Sequence, residues 1–93
     1  MAVGLLSVEF HLPGARSLKD KRMVLRSVKD RLKKFNVAVA EVDYHDLWQR
    51  ASLGIVTIGR TDEHVDRELT AVVGEIERTE PGLIARTQME FLQ

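Results

Sequence analysis

Five cations, Lys19, Arg22, Arg26, Lys29 and Lys33, recur at three- and four-residue intervals. On a helix turning about 100° per residue they fall on one narrow stripe. The stripe belongs to a denser run: from Arg16 to Lys34 there are nine Lys/Arg and only two Asp, in a 93-residue chain of zero formal net charge. The compensating acids lie mostly beyond residue 61. A neutral chain sorted in this way has a dipolar surface, and a basic stripe can hold a polyanion such as an RNA backbone, with affinity that falls as salt rises. An ordinary solvated helix face has the same composition, because Lys and Arg form helices well and belong outside. Asp20 and Asp30 dilute the patch.

A second group, Glu41, Asp43, His45 and Asp46, runs into Leu47-Trp48-Gln49-Arg50. Carboxylates two apart on a strand share a face, and with His45 they have the donors for a hard cation or for acid–base work. A polar strand end leading into a hairpin loop is the commoner origin of such a group. No second ligand set accompanies it, so no metal site and no catalytic residues are assigned. Trp48 has two readings. The commoner is closure of one end of the core; the other is a stacking platform for an unpaired base, with Arg50 beside it. Pro13-Gly14-Ala15-Arg16-Ser17 precedes a helix start, where an anion can bind, although it is a loop first. His11 and His64 read as surface or strand-end residues. Phosphate-cradling glycine loops and the nucleophile-elbow pattern are missing from the sequence, and no cofactor is expected.

These residues need a scaffold, and the length allows one domain, residues 1–93, burying about 60–65% of its unfolded surface. There is no cysteine, which removes disulfides, thiolate metal sites and a cysteine nucleophile together. No apolar run approaches the roughly 20 residues of a membrane span, and the start has no signal-peptide pattern, so a cytoplasmic location without membrane contact is expected.

Residues 3–11 alternate, with Leu6, Val8 and Phe10 on one side and Ser7, Glu9 and His11 on the other, as in a half-buried strand. Ser17 with Asp20 resembles a capping box, and Leu18, Leu25, Val28, Leu32 and Phe35 give a helix over about 18–34 with the cations beside its apolar face. Lys21 points into that apolar sector, where only its stem is expected to pack. Residues 36–43 and 51–59 read as strands, with Gly54 marking a bulge or close approach. Thr61 or Asp62 caps a second helix buried through Val65, Leu69, Val72, Val73 and Ile76, and Glu80-Pro81-Gly82 is a turn into a last strand over 83–92. That last strand alternates, placing Ile84, Arg86, Gln88 and Glu90 together. The order βαββαβ is the split-βαβ, ferredoxin-like arrangement of the α+β class: a four-stranded antiparallel sheet with two helices on one face. Its other face, with Val3, Leu5, Ser7, Glu9, Arg86, Gln88 and Glu90, is open, and a homodimer through it or through an edge strand is the expected assembly. The sheet lacks the aromatic pair of an RNA-recognition module, which turns an RNA role toward the helix.

The strings Ser17-Leu18-Lys19-Asp20-Lys21-Arg22, Val24-Leu25-Arg26-Ser27, Asn36 to Asp43 and Asp46-Leu47-Trp48-Gln49-Arg50-Ala51 resemble the YlxP-like family, a small bacterial family of unknown function, over nearly the whole chain. The resemblance implies a ferredoxin-like fold. It also implies a setting among translation-initiation and ribosome-maturation genes, hence RNA or a ribosomal particle as partner; it supplies no catalytic residues. The expected nucleic-acid contacts are Arg16, Lys19, Lys21, Arg22, Arg26, Lys29 and Lys33, with Trp48 and Arg50 secondary. One alternative is a homodimeric interaction or scaffold protein whose basic helix meets the acids of a neighbour's second helix (Asp62, Glu63, Asp66, Glu68, Glu75, Glu77). A third reading is a small metal-dependent enzyme using Glu41, Asp43 and His45.

Overall fold

The computed structural model describes residues 1–92, which form β1 (Ala2–His11), α1 (Leu18–Leu32), β2 (Ala38–Asp43), β3 (Arg50–Gly59), α2 (Asp62–Thr79) and β4 (Ile84–Leu92). The strands make one antiparallel sheet in the order β2-β3-β1-β4. This is the ferredoxin-like topology expected from the element order. Alternate residues of β1 are buried, and Leu6, Val8 and Phe10 sit opposite Ile55, Leu53 and Ala51 of β3. Leu25, Val28 and Leu32 of α1 and Val65, Leu69, Val72 and Ile76 of α2 complete the core. Each such side chain contributes about 1.5–3 kcal/mol on burial. The helix layer sits close to the sheet because β1 carries a glycine beneath α2: a Cβ at Gly4 would collide with Val65 Cγ1. Among the described residues no helix is long and apolar enough to cross a membrane.

The helix ends follow the cap logic with one displacement. Ser17 Oγ accepts from the Asp20 N–H at 3.0 Å, and Thr61 Oγ1 accepts from the His64 N–H at 3.1 Å. Asp20 reaches back to Arg16 N (2.9 Å) rather than to the cap residue itself. A carboxylate of the chain itself therefore takes the Arg16 N–H, one of the donors that the loop before α1 could offer an anion. Gly82, at φ 78°, supplies the left-handed residue of the turn before β4.

Two register shifts change which residues share a face. In β2, Glu41 pairs with Leu53 but Asp43 pairs with Ser52, so an extra residue enters the strand between them. In β4, Arg86 pairs with Glu9 but Ile84 pairs with Phe10. Ile84 thereby turns from the open face, where strict alternation places it, and packs against the core. Both bulges lie at the same end of the sheet, beside the β2–β3 loop. At the other end the open face is apolar: Val56, Ile58 and Leu92 are exposed there, with Val3 and Leu5 half-buried between them.

The segment just after α1 is tied to α2 by Glu75, whose buried carboxylate accepts from Arg78 Nη2 at 3.0 Å and pairs with Lys34 Nζ at 3.1 Å. The Arg78 hydrogen bond first, then Lys34, hold its carboxyl below the ordinary carboxylate value, against the opposing effect of burial. A lowered folded-state value means stability that is present above the unfolded value and lost as pH falls through the folded one. The gap in urea midpoint between wild type and Glu75→Gln should therefore be widest near neutral pH and close as pH drops below about 4.3. A gap that stays constant down to acid pH would show that the two cations do not stabilise the carboxylate. Glu75 is thus engaged within its own chain and is not free to meet a neighbour's basic helix.

Candidate nucleic-acid interface

The apolar seam of α1, Leu25, Val28 and Leu32, is held against the core and fixes where the cations point. Lys19, Arg22, Arg26 and Lys33 are exposed and Lys29 is half-buried on the adjacent face. From Lys19 to Lys33 this ridge runs about 21 Å at 1.5 Å per residue. Lys33 Nζ lies 3.2 Å from Asp30 Oδ1, an exposed pair of little energetic weight. Among the described residues, Arg16, Lys19, Arg22, Arg26 and Lys29 have no ion-pair partner. Arg22, Arg26 and Lys29, with Leu25 and Glu41, line a groove of about 210 Å³ between the helix and edge strand β2.

Lys21 does not belong to this ridge. It is buried, 1% exposed, ammonium included. Its Nζ donates to the carbonyls of Tyr44 (2.8 Å), His45 (3.2 Å) and Arg50 (3.3 Å), and lies 3.2 Å from Glu41 Oε2. The three protons are taken by carbonyls, which leaves Glu41 Oε2 compensated by charge without a hydrogen bond of its own. The expectation that Lys21 meets RNA is corrected: it ties α1 to the β2–β3 loop, and its head group has no access to a phosphate.

The loop it holds is built around Tyr44, a non-glycine residue at φ 62°. The Tyr44 carbonyl also accepts from Leu47 N at 3.0 Å, and its hydroxyl donates to Glu9 Oε1 at 3.2 Å. Arg50 Nη2 donates to that hydroxyl at 2.9 Å, while its guanidinium lies 4.0 Å from the ring centroid, a cation–π contact. Gln49 Nε2 donates to the carbonyls of Pro13 and Ala15, both at 3.3 Å, pinning this loop to the one that leads into α1. Tyr44, Glu9 and Gln49 were not singled out from sequence. The strand alternation of β1 places Glu9 on the open face, but its partner comes from across the sheet.

Trp48 is 52% exposed, so it does not close the core. It lines a shallow groove of about 550 Å³ with His11, Asp46, Leu47, Gln49 and Arg50. The carboxylate pair expected on one strand face is split by the β2 bulge: Glu41 turns under α1 to Lys21 and Asp43 is carried to the open face. His45 Nε2 contacts the Glu41 carbonyl at 3.2 Å rather than either carboxylate. Among the described residues no group of three or more His, Asp or Glu is arranged to hold a metal ion. The shared-face set behind the metal-enzyme reading is therefore not formed.

Comparison with known proteins gives two kinds of similarity. A family model described as a protein of unknown function, DUF503, matches residues 3–89. The uncharacterized protein YlxP of Bacillus subtilis (strain 168) is 38% identical over 93 residues, covering 92% of this chain and 97% of that protein. Among solved structures, the de novo designed protein Foldit4 superposes with a TM-score of 0.55 at 10% identity, over 99% of this chain and 96% of the other. SnoaB, a cofactor-independent oxygenase from Streptomyces nogalater, gives a TM-score of 0.53 at 11% identity, over 99% and 91%. At these identities the structural likenesses speak to fold alone.

Proposed function

This chain belongs to the DUF503 family of proteins of unknown function, and we propose that it is a non-enzymatic RNA-binding module that meets structured RNA, free or in a ribosomal particle, through the ridge of α1. One observation carries the reading: Arg16, Lys19, Arg22, Arg26 and Lys29 stand without acidic partners among the described residues, at and along α1, in a chain whose net charge is zero. Charge concentrated against the chain's own balance is what phosphate contacts require. The translation-related setting implied by the family resemblance points the same way. Trp48 and Arg50 act as secondary contacts.

Sedimentation with a structured RNA across a salt series tests this. If the five unpaired cations each meet a phosphate, log K should fall with log salt at a slope between about −4 and −5. Absence of binding, or a flat salt response, overturns the proposal. A second copy of the chain is a further partner, favoured by the apolar end of the open sheet face with Val56, Ile58 and Leu92. The runs without RNA read it, because association through an apolar face survives high salt whereas pairing of charged helices does not.

A further inference from the structure

We infer that the RNA site continues past the start of α1 into the groove beside Trp48, and that this groove takes one unpaired base adjoining the phosphates held by the ridge. The inference deepens the RNA-binding reading and rests on it. Continuity comes first: Gln49, next to Trp48, is hydrogen-bonded to the Ala15 carbonyl, and Arg16, the first cation of the run, follows directly. A strand leaving the ridge at Arg16 therefore has the loop that carries Trp48 as its neighbour.

The chemistry of the groove suits a base rather than a phosphate. Trp48 and Leu47 present apolar surface that is 52% and 46% exposed. Every base has a face that stacks on an indole. Asp46 in the lining would repel a phosphate, but its carboxylate can accept from the exocyclic amine of a base, and His11 and Arg50 add polar groups to the same lining. A volume of about 550 Å³ falls in the range of small-ligand grooves and admits a nucleoside. The platform is also held before any ligand arrives. Lys21 fixes the Tyr44 and Arg50 carbonyls, Tyr44 fixes Leu47, and Gln49 is anchored to two further carbonyls. A stacking surface fixed in advance loses little entropy on binding.

Trp48 is the only tryptophan, so its emission reports the groove directly. The test titrates the full chain with a blunt RNA duplex and with the same duplex bearing a short single-stranded overhang. Both should bind through the ridge; the overhang should quench the indole emission and bind on the order of tenfold tighter. Trp48→Ala should lose that preference, so that the two duplexes bind with equal affinity. Equal affinity for the two duplexes with unchanged emission overturns the groove assignment and leaves the ridge standing. Failure to bind either duplex overturns both.

Discussion

Replacing Lys21 with Ala is expected to lower the unfolding free energy by about 3–5 kcal/mol, the scale on which breaking one side of a buried ion pair acts. The change removes the donor to three carbonyls and uncovers Glu41, whose Oε2 has no other partner. It also releases the Tyr44 carbonyl, one of the contacts that hold this residue at φ 62°. Against a total stability of about 5–15 kcal/mol for a domain, such a loss leaves little margin. Lys21→Met keeps the stem and is expected to be nearly as harmful, because the packing of the stem does not satisfy the carbonyls. Arg22→Ala, one residue along and exposed, should stay within about 0.5 kcal/mol of wild type. Urea unfolding of the three variants measures this. A Lys21→Ala midpoint equal to wild type would mean that the ammonium does not hold the loop.

The contrast between Lys21 and Arg22 also marks where the sequence stops being readable. Local pattern is enough for the βαββαβ order, for the cap Ser17, for a second cap at Thr61 or Asp62, and for the placement of the basic ridge, because each depends on residues within a turn or two of one another. Lys21 could be placed on the buried side by the same spacing. Its partners are main-chain carbonyls of Tyr44, His45 and Arg50, and no residue type announces those. The bulges are invisible for a similar reason. Glu41-Val42-Asp43 reads as plain alternation, and only pairing with Leu53 and Ser52 shows that Asp43 has changed sides. That single inserted residue separates a cation-binding pair into one structural carboxylate and one solvent-facing one. Trp48 illustrates the limit from the other direction. Tryptophan in a loop usually returns to the core, and here the anchoring of Gln49 to Pro13 and Ala15 accompanies a half-exposed indole.

Changing Arg22, Arg26 and Lys29 together to Gln should weaken binding to a blunt RNA duplex by about two to three orders of magnitude near 0.1 M salt. Each lost phosphate contact removes about 0.9 from the salt slope, which corresponds to nearly one decade of affinity at that concentration. The slope itself should shrink by about 3. Glutamine preserves helix propensity, and these side chains lie outside the core, so folding should be little affected. The decisive comparison is a second triple variant, Arg60→Gln, Arg67→Gln and Arg86→Gln, which removes the same formal charge from exposed positions elsewhere on the chain. If the ridge is the site, the second variant keeps its affinity to within a few-fold and retains the full salt slope. If both variants weaken equally, net charge and not the placement of cations on α1 governs binding. Full retention of affinity in the ridge variant would remove α1 from the interface altogether.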